Sequence, residues 1–290
     1  MIRIILNLLF FTPLLTNKVK IGPSTGDNVH DVSPDVGNVV GDDVTTYFTD
    51  EDFNNLFPNS NKSPCDGGDM YSYKNFLKAA VSSQSAGFLN SKDLDTNKRE
   101  LAAFLAQASY ESGAGDSLPE DQADKGGFCF WQSPMYDQNT YCDSSKKVLK
   151  QCSKMGYSCD CASGKRYIGR GPMQLRWNYN YAAYSSRVNR EGVFLNDPDQ
   201  MSTDPSQAFQ AAIWYWLVGH DGNPSFHAIM FDETKSKDAG FGQITKIMND
   251  KDCGQKGQET KASQSKINYY NRYLDYFGVK DSREKGCAKK

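Results

Sequence analysis

The chain has 290 residues and a mass of 32.4 kDa, with 38% hydrophobic, 23% charged and 12% aromatic residues. That composition excludes a disordered chain, a collagen-like repeat and a polytopic membrane protein. Thirty-three basic residues stand against thirty-five acidic ones, and although residues 21–60 are acidic and residues 251–290 basic, neither block is dense enough to indicate a nucleic-acid partner.

In chain order, Arg3 precedes a stretch from Ile4 to Leu15 that is apolar apart from Asn7 and Thr12. It is too short to span a bilayer and predicts a secretory signal over residues 1–16, although Thr16-Asn17 is a poor cleavage pattern. Gly, Asp, Asn, Pro and Val without period predict an acidic linker over residues 17–43, with one folded domain over 44–290. Asn61-Lys62-Ser63 is a glycosylation acceptor that a secretory route would expose. After signal removal no membrane segment is expected, and the product is expected to be a secreted, extracellular monomer.

The strongest signals beyond the linker are helical. Tyr73, Phe76, Leu77, Ala80 and Val81 form one apolar stripe. A second helix is predicted from about Lys98 to Glu111, with Asn97 as cap and Glu100 completing a capping box, and Leu101, Phe104, Leu105 and Ala108 inward. A third opens at Asp204-Pro205, with Gln207 reaching back, and buries Phe209, Ile213, Trp216 and Leu217. A fourth carries Phe241, Ile244, Ile247 and Met248. The last, about Ala262 to Phe277, turns Ile267, Tyr270, Leu274 and Phe277 to one face and stops at Gly278. The stretch between the second and third helices, rich in Gly, Cys and aromatic residues, reads as mostly loop. Together these give a mainly α domain with long loops.

Eight cysteines follow the signal: Cys65, Cys129, Cys142, Cys152, Cys159, Cys161, Cys253 and Cys287. An even count in a secreted chain predicts disulfides, in any of 105 pairings. The spacings from Cys142 to Cys161 match no zinc pattern, and none of His30, His220 and His227 is near them in sequence, so no metal and no cofactor is expected.

Two places carry the residue types of chemistry. Glu111 follows Phe104 by seven positions and Ala108 by three, on the buried stripe, and Gly113 and Gly115 end its helix. A carboxyl at a helix C-terminus, half desolvated by aromatic neighbours, suits a proton donor near neutral pH. The second place runs from Gly169 to Tyr181, where two glycines and Pro172 shape a turn and amides alternate with rings. Flat rings stack on pyranose faces and amides bond hydroxyl and N-acetyl groups, so this surface suits a sugar, although Asn/Tyr alternation fits a ligand-free edge strand equally.

With Phe104 to Glu111, Gly164-Lys165-Arg166-Tyr167 running into that turn, Ala211 to Trp216, and Gly240-Phe241-Gly242 with Ile244-Thr245, the chain resembles the plant-type chitinases of glycoside hydrolase family 19. The resemblance covers about Val44 to Cys287. It implies a lysozyme-like, two-lobed helical domain with a substrate cleft and disulfide-held loops. The activity implied is endo-hydrolysis of β-1,4-linked N-acetylglucosamine polymers with inversion, on chitin or its oligosaccharides. It places Glu111 on the general acid, and Gln174, Tyr179, Asn180 and Asn249 on cleft positions that hold sugar. It implies the pairs Cys65–Cys129, Cys142–Cys161 and Cys253–Cys287, which leaves Cys152–Cys159.

Three positions depart from that pattern. Where the family has its general base, four residues after Cys129, this chain has Ser133. Where the family keeps a hydroxyl to seat the attacking water, it has Arg176. Where the family has a cleft Arg, it has Lys266, which keeps charge but loses the planar fork. An inverting glycosidase needs two carboxyls about 6.5–9.5 Å apart, and Asp137, in the Cys129–Cys142 loop, is the candidate replacement base. The alternatives are a catalytically impaired pseudoenzyme that binds chitin oligosaccharides and, more distantly, a peptidoglycan hydrolase.

Overall fold

The computed structural model describes residues 43–113, 125–133, 139–188, 190–219, 223–232 and 240–287; the expected signal and linker, and Asp137, lie outside them. In chain order the α-helices are α1 (Asp50–Leu56), α2 (Tyr73–Ser83), α3 (Leu94–Glu111), α4 (Lys146–Lys154), α5 (Asn178–Arg187), α6 (Val193–Asn196), α7 (Pro205–Leu217), α8 (Phe226–Phe231), α9 (Phe241–Met248) and α10 (Lys261–Phe277). Short 3₁₀ turns join several of them, and among the described residues β pairing is limited to isolated bridges. No helix of the described residues is long and apolar enough to cross a membrane.

The caps are local chemistry. Thr49 and Asp52 form a reciprocal capping box at α1, and Thr260 and Ser263 do the same at α10. At α10's other end Gly278 takes φ 66°, a left-handed stop that a Cβ would disfavour.

Two cap expectations need correction. The second helix starts at Leu94, because Asp93 accepts from the Thr96 amide and Asn97 is then free to bind the Ser91 backbone. Glu100 is fully buried rather than reaching back to a cap. It accepts from Trp216 Nε1 and from the Leu89 amide, both at 2.9 Å, and its Oε1 lies 2.7 Å from His227 Nδ1. At α7, Asp204 caps the Ser206 and Gln207 amides, while the Gln207 side chain turns to Gln210 and Tyr184 instead. The stretch expected to be mostly loop contains α4 and α5. In α5, Asn178, Tyr181, Ala182 and Ser185 recur at helical spacing and are buried, so the Asn/Tyr alternation is a helix start and not a strand.

The buried residues form two clusters. The larger packs α3 against α10 and α2 against α7 around rings that include Phe48, Phe53, Phe76, Phe104, Phe128, Phe209 and Trp216. Edge-to-face contacts such as Phe48–Phe76, with centroids 5.5 Å apart, and Phe104–Trp216, 5.6 Å, knit it together. The smaller gathers Tyr167, Leu175, Tyr181, Tyr184, Phe194 and Met201 beneath α4 and α5. Four disulfides, Cys65–Cys129, Cys142–Cys161, Cys152–Cys159 and Cys253–Cys287, leave no free cysteine among the described residues.

Candidate active site

Glu111 is the last residue of α3, and the chain turns away at once. The fully buried Ser112 returns its hydroxyl to the Ala108 carbonyl, while its own carbonyl accepts from the Cys129 and Phe130 amides. The segment leading to Ser133 is thereby bonded to the end of the helix that carries Glu111.

From the other side comes Lys266, on the second turn of α10. Its side chain is 0% exposed, and its ammonium lies 3.0 Å from Glu111 Oε1, 2.8 Å from Asp252 Oδ2 and 4.7 Å from the centroid of the Tyr110 ring. Burial alone would pull the lysine's pKa down. The negative charges of Glu111 and Asp252 outweigh that and raise it, so Lys266 keeps its charge at neutral pH. Asp252 is fixed in turn by Asn249, whose Nδ2 donates to Oδ1 at 2.7 Å. The resemblance put Lys266 and Asn249 among groups that hold sugar. Lys266 is instead enclosed and clamps two carboxylates, because a cation without solvent needs counter-charges around it. Asn249 is exposed at the edge of this cluster.

The second cluster is built on the Gly169–Trp177 turn. The Ser133 amide donates to the Gly169 carbonyl at 2.8 Å, and an isolated bridge pairs Gln132 with Arg170. The nearly buried Ser133 hydroxyl donates to Gln174 Oε1 at 3.1 Å, and Arg176 Nη2 donates to Ser133 Oγ at 3.5 Å. Gln174, expected to hold sugar, spends its amide on the Gly171 and Phe130 carbonyls and is buried. It therefore shapes the turn, and it sits at φ 46°, a costly conformation for a residue with a Cβ. A Cβ on Gly169 would stand 2.6 Å from Ser133 Oγ and 2.9 Å from Arg176 Nε, so only glycine admits this packing.

Half-exposed rings line the same turn. Trp177, at φ 77°, stacks nearly parallel on Tyr179, with centroids 5.9 Å apart and 11° between planes, and meets Tyr141 edge-on at 5.3 Å. Asn180, also half-exposed, donates to the Arg176 carbonyl at 2.8 Å. Tyr179 and Asn180 thus lie together in the first turn of α5, next to the Ser133–Gln174–Arg176 group. Asn61 is exposed on a turn of its own.

Sequence reasoning missed Asp252, Tyr141 and the part Trp177 plays. Asp252 follows Asn249 by three residues, a weak turn signal; Tyr141 lies far from the turn in sequence and reaches it only through the fold.

The family model for glycoside hydrolase family 19, chitinase class I, matches residues 47–287. Endochitinase A2 of Pisum sativum is 34% identical over 252 residues, 84% of this chain and 72% of its own length. Basic endochitinase B of Arabidopsis thaliana is 34% identical over 84% of this chain and 70% of its own. Among solved structures, a family GH19, class IV chitinase from Zea mays matches with a TM-score of 0.64 at 26% identity, covering 85% of this chain and all of that one. Chitinase C from Streptomyces griseus matches with a TM-score of 0.62 at 27% identity, over 88% of this chain and all of its own.

Proposed function

The chain belongs to glycoside hydrolase family 19, the class I chitinases, and from that premise we propose that it is a secreted endo-hydrolase of β-1,4-linked N-acetylglucosamine polymers that inverts the anomeric carbon. The observation that carries this reading is the clamp on Glu111. With Oε1 accepting from Lys266 at 3.0 Å, Oε2 is the oxygen left to carry the proton when Glu111 acts as the acid. Glu111 gives that proton to the glycosidic oxygen as the bond to the anomeric carbon breaks, and water adds to the opposite face. The water's proton passes to a second carboxylate. Asp137 is our candidate for it, since its loop is anchored by disulfides at Cys129 and Cys142. That role requires a separation of about 6.5–9.5 Å from the Glu111 carboxyl. Trp177 and Tyr179 offer stacking faces to the sugar, and Asn180 and Asn249 offer amides. Lys266 and Gln174 act as positioning residues. The leader at residues 1–16, the linker at 17–43, a glycan on Asn61 and a monomeric state belong to the same proposal.

A second reading, a chitin-oligosaccharide-binding protein without turnover, has its own observation in favour. Arg176 donates to Ser133 and Ser133 to Gln174, and neither Ser133 nor Arg176 is a base. One experiment separates the two: incubate the purified protein with an N-acetylglucosamine hexamer, and follow binding, products and their anomeric form. Products born as α-anomers support the hydrolase. Binding without products selects the second reading and calls for the double variant Ser133→Glu, Arg176→Ser, in which a regained base should raise the rate at least about 10²-fold. Absence of both binding and products sinks both readings.

A further inference from the structure

Two arginines flank the same turn and are treated differently. Arg170 Nη1 donates to the Arg166 carbonyl and to Tyr181 Oη, and its Nη2 meets Asp199 Oδ1 at 2.5 Å, with the guanidinium 5.7 Å over the Tyr181 ring. Arg170 is a structural cation with its charge answered. Arg176 also lies 5.7 Å over a ring, that of Tyr141, but its side chain has one hydrogen bond among the described residues, the 3.5 Å contact with Ser133 Oγ. No carboxylate of the described residues forms an ion pair with it. Nε is buried without a partner in both residues, so the Nη groups make the difference.

The Arg176 guanidinium is nevertheless held in place. Its carbonyl is fixed by Asn180, the Tyr141 ring lies against it, and the Gly169 backbone closes on it so tightly that a Cβ there would come within 2.9 Å of Nε. A half-buried cation held rigid with no counter-charge among the described residues costs solvation. A ligand anion returns that cost, and a planar fork of N–H donors matches a carboxylate in two parallel bonds. The residue after Arg176 begins the Trp177–Tyr179 stack, the surface on which a sugar ring would lie.

We propose that Arg176 recognises a carboxylate carried by a sugar, so that the cleft prefers an N-acetylhexosamine glycan with acidic units over a neutral one. This rests on the carbohydrate-hydrolase reading above and names the substrate class within it. The carboxylate has two common carriers, a lactyl ether on the hexosamine or a uronic acid in alternation with it, and both present the same planar anion.

Calorimetry on the whole protein tests this with tetrasaccharides of equal length: all N-acetylglucosamine, alternating with the 3-O-lactyl derivative, and alternating with glucuronate, each acid paired with its methyl ester. We expect at least one acid to bind about tenfold or more tightly than its ester, with the arm that does so identifying the carrier, and the ratio to fall to about one in Arg176→Gln. Equal binding of acid and ester in both arms, or a preference that persists in Arg176→Gln, overturns the proposal. The wild-type comparison needs no variant, so a misfolded Arg176→Gln leaves the test standing. If the neutral tetramer binds and acids add nothing, this inference fails alone. If acids bind but the neutral polymer is neither bound nor cut, the chitin reading fails and this one stands. Binding of none sinks both.

Discussion

The larger and smaller cores solve the same problem with different materials. The larger is built on phenylalanines at or near zero exposure, and that bulk of apolar surface is enough to enclose a lysine between two acidic side chains, Glu111–Lys266–Asp252. The smaller core is built on tyrosines that each keep a polar end satisfied: Tyr167 Oη donates to the Leu195 carbonyl, Tyr181 Oη to that of Ile168, and Tyr184 Oη to Gln207. It buries less, and two disulfides, Cys142–Cys161 and Cys152–Cys159, close it covalently. The lesson is about where charge is tolerated. The large core pairs its cation completely, while the turn beside the small core holds Arg176 open to a ligand.

Four measurements break or sharpen that contrast. The largest effect is expected at Glu111, the acid that the larger core presents. Glu111→Gln should lower the turnover rate about 10²–10⁴-fold with a native circular dichroism spectrum, and full activity would remove Glu111 from the mechanism. Next is Lys266→Met, which leaves Glu111 and Asp252 facing each other without a cation. A loss of about 3–5 kcal/mol in urea unfolding is expected, whereas a loss below about 1 kcal/mol would mean that the bridge does not help bind α3 to α10. In the smaller core, Cys152→Ser with Cys159→Ser should cost about 2 kcal/mol, with amide exchange quickening around α4 and α5 and not in α3. Quickening spread evenly over both cores would show that they unfold as one.

The smallest and most shared effect is alkaline. Counter-charges raise the Lys266 pKa against the pull of burial, and burial pushes the Tyr181 phenol up to about 12. Folded values above unfolded ones mean that these contributions are complete below about pH 10 and fade as pH rises through the folded values. A thermal midpoint that stays flat from about pH 9 to 12 would contradict both assignments.

The sequence was most legible where a helix is amphipathic and its ends are local. α2, α7, α9 and α10 follow their apolar periodicity, and Gly278 ends α10 where a left-handed stop was expected. It was least legible where a polar side chain is claimed by a distant segment. Glu100 has the right spacing for a capping box, but Trp216 and His227, more than a hundred residues away, take its carboxylate. Lys266 falls on the helix face that packs on α3, a position that periodicity alone would assign to an apolar residue, and only the fold brings it two acids. Spacing marked Glu111 as unusual, yet Lys266, 155 residues later, lies outside any local pattern. α4 and α5 were hidden by composition: cysteines, glycines and amides read as loop until disulfides and buried Asn178 give the helices something to pack on.

The cysteine connections also have a consequence for assembly. Written as brackets along the chain, the four bonds are side by side or nested and never interlaced: 65 closes at 129, 152 closes at 159 inside 142 and 161, and 253 closes at 287. For a chain emerging from its N-terminus, each closing cysteine has as its partner the most recently made thiol still unpaired, a last-in, first-out rule. It has a single weak point, the interval in which Cys152 has appeared, Cys142 is still open and Cys159 has not yet been made. Oxidation during synthesis therefore risks a wrong pair in one seven-residue window, and that window begins on α4, whose folding decides which way Cys152 faces.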